Sequence, residues 1–276
     1  MTEPAPPGFD ANVRAYYDRA PEESRLEVGP SRLEELRTRE LILRHAPKPP
    51  AVVLDVGGAA GVYAFWLAEL GYEVRLIDAT PRLVDVARAR NEAARHRLAS
   101  CRVGDARTLP EADGVASMVL LLGPLYHLVD AADRMKALGE AKRVLQPGGV
   151  LIAAAISHAA STLDGLSREL FRDPEFARLA EQDLRDGHHQ NPTGRLDYFT
   201  TAYFHRPENL RREVENAGFH IDGLYGIEGP GWILSDVAER CDDASRREML
   251  LHVARALESD PSVIGTSAHL LAVGRR

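Results

Sequence analysis

Cysteine is scarce in this sequence of 276 residues, since Cys101 and Cys241 are the only two and they form no Cys-x-x-Cys pair. Two distant cysteines supply neither a disulfide framework nor a zinc knuckle. A secretory signal is also missing, because the first residues, MTEPAPPGFD, contain neither a basic stretch nor an apolar one. These absences predict a protein of a reducing compartment, and we expect it in the cytoplasm.

Long apolar runs and excess positive charge are lacking as well. No run approaches the roughly 20 apolar residues that span a bilayer, which argues against a membrane protein. The formal net charge is −7, so no general attraction to nucleic acid or anionic lipid is expected. The basic stretch at residues 88–97 has the spacing of a solvated helix face. The composition therefore favours a small molecule as partner and disfavours nucleic acid.

From Ala51 onward, short apolar runs alternate with helical patterns. AVVLDV, EVRLID and VASMVLLL are typical of strands, whereas VYAFWLAEL and DAADRMKALGEAKRVL have helical periodicity. This alternation indicates βαβ units, and hence an α/β fold with a doubly wound, mostly parallel sheet and helices on both faces. The ligand of such a fold lies at the carboxyl ends of the strands.

The patterns divide the chain into four parts. Residues 1–50 are predicted to form an N-terminal helical arm covering the ligand site, with Ser31 and Glu34 as a capping box. Residues 51–156 form the core. Residues 157–206 contain no convincing strand and directly follow a strand end, so we expect a lid over the ligand cleft. Residues 207–276 complete the sheet.

The loop after the first core strand reads D-V-G-G-A-A-G, with Asp55 two residues before Gly57. The NAD fingerprint G-x-G-x-x-G cannot be placed on Gly57, Gly58 and Gly61, which disfavours a dehydrogenase. Glycines at these positions still permit close approach of the backbone to a ligand. The loop therefore predicts a ligand held close to the backbone, and its spacing is not the one expected for NAD.

This loop resembles motif I of the class I S-adenosylmethionine-dependent methyltransferases, and further stretches follow the order of that family. Asp78 ends the second strand, GDARTLP places Asp105 after the third, and VLLLGPLYHL with EAKRVLQPGGVLIAA matches the fourth and fifth. The resemblance implies a Rossmann-like sheet of seven strands, S-adenosyl-L-methionine as cofactor and S-adenosyl-L-homocysteine as product. Ala59 replaces the usual middle glycine, and its methyl group is tolerated if its φ stays below zero.

The resemblance also gives the three acids roles. Asp55 fixes backbone amides or meets the cofactor ammonium, Asp78 accepts from both ribose hydroxyls, and Asp105 lies near the adenine amino group. Each carboxylate could instead only cap a turn or a helix. The predicted cofactor residues are Asp55, Gly57, Gly58, Ala59, Gly61, Asp78, Ala79, Asp105, Ala106, Leu122, Tyr17 and Arg32.

Two of these residues come from the arm. An arginine of the helix before the core, Arg32 or Arg37, is expected to pair with the cofactor carboxylate. Exposed ion pairs with neighbouring glutamates are the alternative for both. Tyr16 or Tyr17 could close over the cofactor.

Methyl transfer from a sulfonium is an in-line displacement, so the protein mainly has to hold the acceptor atom about 3–3.5 Å from the methyl carbon. A base matters only if the acceptor starts protonated, and then histidine and tyrosine are the candidates. Tyr126 and His127 follow the fourth strand and His158 follows the fifth, so these three are the predicted catalytic residues. His127 could equally be a structural residue.

The acceptor contacts are predicted in the lid and beyond it. Adjacent histidines in the lid point apart, so no metal site is predicted. Trp232 either covers the substrate or anchors the next helix. The predicted substrate residues are His158, Tyr203, His205 and Trp232.

The leading hypothesis is an enzyme that methylates an oxygen or nitrogen of a small molecule. The alternatives are a tRNA or protein methyltransferase that uses a local basic groove, and a noncatalytic module that senses the cofactor. The patterns leave the acceptor and the oligomeric state open, because this fold serves many substrates.

Overall fold

The computed structural model describes residues 3–276, so the first two residues of the predicted arm lie outside the described part. The strands are β1 Val52–Val56, β2 Glu73–Asp78, β3 Ser100–Val103, β4 Ala116–Leu121, β5 Leu145–Ile156, β6 His188–His189, β7 Ala202–Tyr203, β8 His220–Gly226 and β9 His269–Arg275. Seven of them form one sheet in the order β3-β2-β1-β4-β5-β9-β8. The first five strands are parallel, and β9 runs antiparallel to β5 and β8.

Helices precede, connect and follow these strands. The α-helices are α1 Ala11–Tyr17, α2 Ser31–His45, α3 Val62–Glu69, α4 Pro81–Ala93, α5 Pro124–His127, α6 Ala131–Val144, α7 Ala160–Ser167, α8 Pro174–Asp186, α9 Pro207–Asn216, α10 Val237–Asp242 and α11 Ala244–Leu257. Within residues 3–276, none of the helices has both the length and the apolar character needed to cross a membrane.

Both faces of the sheet are buried. Val53 and Leu54 are adjacent on β1 and fully buried, yet they belong to separate core clusters, because successive strand residues point to opposite faces. One cluster includes residues of α6 and α9, and the other includes residues of α2, α3 and α4. The doubly wound, seven-stranded fold predicted from the sequence is confirmed.

Strand order reverses between β1 and β4, and this reversal positions the site. The chain moves outward from β1 through β2 to β3, then returns to the other side of β1 as β4. Connections that leave adjacent strands in opposite directions open a crevice at the carboxyl ends of those strands. Here that crevice begins at Val56 and Leu121, the last residues of β1 and β4.

Two local predictions were wrong. Ser31 and Glu34 form no capping box, because α2 begins at Ser31 itself and its N-terminus has no side-chain cap. Glu34 instead accepts two hydrogen bonds from Arg25, at 2.7 and 3.0 Å. Residues 157–206 also contain strands, since His188 and His189 pair antiparallel with Tyr203 and Ala202. These two-residue strands are too short to show alternation in the sequence.

Candidate cofactor and acceptor site

A cavity of about 300 Å³ lies in the crevice at the strand ends. One wall is built by the loop after β1, by the ends of β2 and β4 and by the turn after β3. Residues 8–10, Val13, Tyr17 and the 3₁₀ turn Glu22–Glu27 close it from the opposite side. The predicted cofactor residues that line it are Tyr17, Asp55, Gly57, Gly58, Ala59, Asp78, Ala79, Asp105, Ala106 and Leu122.

The glycines after β1 leave no room for side chains. A Cβ on Gly57, whose φ is 75°, would lie 2.5 Å from Cδ of Pro124. A Cβ on Gly58 would lie 2.7 Å from Cγ of Asp55. Gly61, at φ 86°, does not line the cavity; it opens α3, where a Cβ would meet the ring of Phe65 at 2.9 Å. The first two glycines therefore shape the cavity wall, and the third allows the loop to enter the helix.

Ala59 has a φ of +48°, whereas the sequence analysis required a φ below zero for its methyl group to be tolerated. Its backbone N–H donates to Oδ2 of Asp78 at 2.8 Å, which holds the residue in the left-handed region. That conformation costs a non-glycine residue roughly 1–2 kcal/mol. The loop therefore stores strain directly at the cavity wall.

Replacing Ala59 with glycine should raise the free energy of unfolding by up to about 1 kcal/mol. Relief of the strain outweighs the roughly 0.4–1 kcal/mol by which glycine favours the unfolded chain. Urea denaturation measures the change. Ala60→Gly is the matched control and should lower stability, because Ala60 has no positive φ to relieve. A loss of stability in both variants would contradict the strained conformation of Ala59.

Asp55 is a buried carboxylate with an unused oxygen. Its residue is only 1% exposed, and Oδ2 has no hydrogen-bond partner among residues 3–276. Burial, reinforced by the nearby charge of Asp78, raises the pKa of Asp55 to about 7. An unsatisfied buried polar atom costs about 1–3 kcal/mol, which a ligand donor such as an ammonium would recover. The geometry therefore fits the predicted contact of Asp55 with the cofactor.

Asp78 is a cap whose geometry still leaves room for ribose binding. Oδ1 accepts from the N–H of Thr80 at 2.7 Å, and Oδ2 accepts from the N–H of Ala59 at 2.8 Å. Burial raises the pKa of this carboxyl, while these backbone hydrogen bonds oppose the rise. Each oxygen of a carboxylate has a second lone pair, so the caps do not exhaust its capacity. Contact with two ribose hydroxyls thus stays a prediction that the geometry permits.

Asp105 lines the cavity together with Arg107, a residue that the sequence analysis did not select. The guanidinium donates to both oxygens of Asp105, with 2.6 Å between Nη2 and Oδ2, and its Nη1 lies 2.6 Å from Oδ2 of Asp133. Nη2 also lies 3.3 Å from the carbonyl oxygen of Gly8 in the arm. The turn after β3 is therefore tied to the arm that covers the cavity.

Arg32 lies outside the cavity, whereas Arg25 lines it. Arg32 forms an ion pair with Asp242 on α10. Arg25 lines the cavity from the 3₁₀ turn and contacts Glu34 and, at 2.8 Å, Glu22. The turn at Gly29 and Pro30 folds this segment back on α2, and no pattern in the sequence signals that contact.

Tyr126 and His127 line the cavity, but His127 is fully engaged. Its Nδ1 lies 3.1 Å from the carbonyl oxygen of Thr201, so Nδ1 donates and Nε2 accepts from the hydroxyl of Tyr17 at 2.8 Å. Burial lowers the pKa of His127 to about 4, which keeps the ring neutral. The pair His127–Tyr17 fastens the arm over the site, and this conformation leaves His127 no free nitrogen for a substrate.

The four predicted substrate residues do not line the cavity. Nε2 of His158 lies 3.4 Å from Nη1 of Arg206. The ring of Tyr203 lies under the guanidinium of Arg134, and His205 is buried beside Glu213. Trp232 is buried and donates to the carbonyl oxygen of Thr266, so it anchors the chain rather than covering a ligand. The cavity walls in the described chain include no residue of 157–206, and the lid stays a prediction.

A charged cluster that the sequence analysis missed lies at the carboxyl end of β5. Ligand atoms of Glu34, Glu228 and His269 all lie within 4.8 Å of one another. His269 opens β9 beside Ile156, the last residue of β5, and lines the cavity with Glu34. These residues come from three distant stretches of sequence and meet only through the antiparallel insertion of β9. No local pattern could have revealed them.

The core of the chain is similar to known methyltransferases. Residues 54–153 match a family described as a methyltransferase domain. The chain is 34% identical over 113 residues to the ubiquinone/menaquinone biosynthesis C-methyltransferase UbiE of Acidiphilium cryptum, covering 40% of this chain and 44% of that protein. It is 27% identical over 231 residues to the ubiquinone biosynthesis O-methyltransferase of Xylella fastidiosa, covering 81% of each. The relatives that are more than 30% identical match the chain over only 40–50% of their own length.

A solved structure extends the similarity beyond the core. A S-adenosylmethionine-dependent methyltransferase of Methanosarcina mazei superposes with a TM-score of 0.57 at 16% identity, covering 86% of this chain and 96% of that one. At this identity the likeness concerns the fold, which agrees with the Rossmann-like methyltransferase fold expected from the sequence.

Proposed function

We propose that this chain, a member of the class I S-adenosylmethionine-dependent methyltransferase superfamily, transfers a methyl group from that cofactor to an oxygen or nitrogen of a small molecule. The main support for the proposal is that Asp55, Asp78 and Asp105 all line one cavity. The glycines in the wall of this cavity have no room for a side chain. The ends of three neighbouring strands supply one charged anchor each. Relatives whose names specify C- and O-methyltransferases of quinone biosynthesis support a small acceptor.

The residues of the cavity suit the parts of the cofactor. Asp55 has a free buried oxygen for the ammonium, and Arg25 can turn from Glu34 to the carboxylate. Asp78 retains lone pairs for the ribose hydroxyls. The bound cofactor supplies a methyl group on a positively charged sulfur, ready for in-line displacement.

The arm supports a small acceptor rather than a macromolecule. Tyr17 closes over the cavity through His127, and the guanidinium of Arg82 donates to the carbonyl oxygens of Tyr17 and Ala20 at 2.7 and 3.1 Å. An arm held in this way narrows access to the cavity, and a chain of tRNA or protein would have to displace it.

Replacing Asp78 with alanine should weaken binding of S-adenosylhomocysteine by about 1–3 kcal/mol, roughly 5- to 150-fold, because two hydroxyls and two backbone amides lose their acceptor. Isothermal calorimetry measures the change. Asp78→Asn keeps one acceptor oxygen, so its affinity should lie between those of the unaltered protein and Asp78→Ala. Asp242→Ala, at the exposed partner of Arg32, should bind within threefold of the unaltered protein. Full affinity in Asp78→Ala would refute the ribose assignment.

Transfer of a radiolabelled methyl group tests the function itself. The assay supplies S-adenosylmethionine with panels of small phenols, amines and carboxylic acids, and in parallel with tRNA and a protein extract. We expect label in a small molecule. Label only in tRNA or protein would overturn the acceptor class, and absence of saturable cofactor binding would overturn the whole proposal.

A further inference from the structure

We propose that His269, oriented by Glu228, accepts the proton of a hydroxyl group on the methyl acceptor. This inference rests on the proposed methyl transfer and deepens it by naming the acceptor group. It is based on Glu228 and His269, to which the proposed contacts with the cofactor assign no role.

Glu228 is a locked hydrogen-bond acceptor behind the cavity wall. It is 2% exposed, and its Oε2 accepts from the hydroxyl of Ser267 at 2.6 Å and from the backbone N–H of His269 at 3.1 Å. Its Oε1 lies 2.6 Å from Nδ1 of His269. These contacts hold Glu228 in one geometry, and they orient the imidazole ring of His269 so that its Nδ1–H donates to the carboxylate.

The other ring nitrogen of His269 is available to a ligand. The residue lines the cavity, its side chain is 22% exposed, and Nε2 has no hydrogen-bond partner among residues 3–276. A histidine whose Nδ1 is held by a carboxylate presents Nε2 as a proton acceptor when the ring is neutral. His127, the other histidine of the cavity, has both nitrogens engaged.

Charged groups from three other segments face His269: Glu34 on α2, Glu228 after β8 and Arg25 on the 3₁₀ turn. Burial and Arg25 favour the neutral ring, but the two carboxylates outweigh them and raise the pKa of His269 to about 9. At neutral pH this pKa keeps the ring of the ligand-free protein protonated, and a positive charge brought into the cavity lowers the pKa and favours the neutral, proton-accepting ring. The methyl donor carries such a charge and loses it on transfer, so His269 gains proton affinity when the acceptor releases its proton.

The need for a base selects the acceptor. A carboxylate is already deprotonated, and a neutral amine attacks before it loses a proton. A phenolic or enolic hydroxyl must lose its proton during attack. The oxygen forms the new bond to the methyl carbon, the carbon–sulfur bond breaks with its electron pair left on sulfur, and the hydroxyl proton moves to Nε2 of His269.

Nuclear magnetic resonance tests the placement of His269 without turnover. The ring signal is assigned by its absence in His269→Asn and titrated with pH in the presence of two cofactor analogues. Sinefungin, with an amine cation near the position of the sulfonium, should lower the midpoint by at least one pH unit relative to S-adenosylhomocysteine, which lacks that charge. Glu228→Gln should also lower it. Equal midpoints with both analogues, when both bind, would overturn the role of His269 alone.

Kinetics test the role in transfer. With the phenols of the acceptor panel, His269→Asn should reduce kcat/KM at least 100-fold at neutral pH, while the Kd of S-adenosylhomocysteine stays within threefold. Glu228→Gln should shift the pH profile of kcat/KM to lower pH, which a merely structural role would not do. His220→Asn, on an exposed histidine at the opposite end of the β8–β9 pair, is the matched control and should leave activity unchanged.

The outcomes separate the two proposals. Full kcat/KM in His269→Asn, or methylation confined to amines and carboxylates, would overturn the inference and leave methyl transfer intact. Failure of the unaltered protein to bind either analogue would overturn both.

Discussion

Replacing Gly57 with alanine should weaken binding of S-adenosylhomocysteine at least 100-fold and lower the free energy of unfolding by about 2–5 kcal/mol. The added Cβ would lie 2.5 Å from Cδ and 2.7 Å from Cγ of Pro124, so either α5 or the loop after β1 must move. The residue also has a φ of 75°, which alanine adopts at a cost. Either movement displaces the wall of the cavity.

Gly148→Ala separates strain from the clash. Gly148 has nearly the same φ, 77°, but a Cβ there would meet nothing within 4 Å. We expect a loss of about 1–2 kcal/mol in stability and unchanged calorimetric affinity. If Gly57→Ala bound the ligand as well as Gly148→Ala does, the loop after β1 would not be part of the binding site.

Replacing Arg37 with alanine should lower the free energy of unfolding by about 3–5 kcal/mol. Arg37 is fully buried, donates to the carbonyl oxygen of Ile227 at 3.1 Å, and forms ion pairs with Glu40 and Glu258. Removal of the cation leaves the buried carbonyl of Ile227 without its donor, and Glu40 and Glu258 then depend on Arg44 and Arg255, which lie nearer the surface. Because α2 carries Glu34 into the cavity, the loss should also loosen the cofactor site.

Arg172→Ala is the control for Arg37. Its side chain is 82% exposed and pairs with Glu169 on the surface, where an ion pair contributes about 0–1 kcal/mol. Urea denaturation of both variants gives the comparison. Equal small losses would show that the buried network of Arg37 does not hold α2 against the sheet.

Local patterns were sufficient to predict the fold. The apolar runs of β1, β2 and β4 are buried on both faces, so they read as continuous hydrophobic stretches, and the helices between them keep their 3.6-residue period. The same locality explains why Asp55 and Asp78 could be selected, because Asp55 is the second-last residue of β1 and Asp78 is the last residue of β2. The two-residue strands β6 and β7 were missed because they are too short for a period to appear.

Contacts between distant segments account for the rest of the site. Arg25 rather than Arg32 lines the cavity because a 3₁₀ turn packs back on α2, and His269 lines it because β9 inserts beside β5. His158 follows β5 as expected, but its side chain lies against Arg206, and Trp232 donates to the carbonyl oxygen of Thr266, so neither lines the cavity. A position after a strand predicts that a residue lies at the edge of the sheet, whereas the direction of its side chain depends on tertiary packing.

A crystal structure with S-adenosylhomocysteine tests the central claim most directly. We expect the adenosyl group in the cavity. Both ribose hydroxyls should lie at hydrogen-bond distance, about 2.5–3.2 Å, from the carboxylate oxygens of Asp78. We also expect the ligand ammonium near Asp55. Electron density for the ligand elsewhere, or a ribose that contacts neither oxygen of Asp78, would contradict the claim.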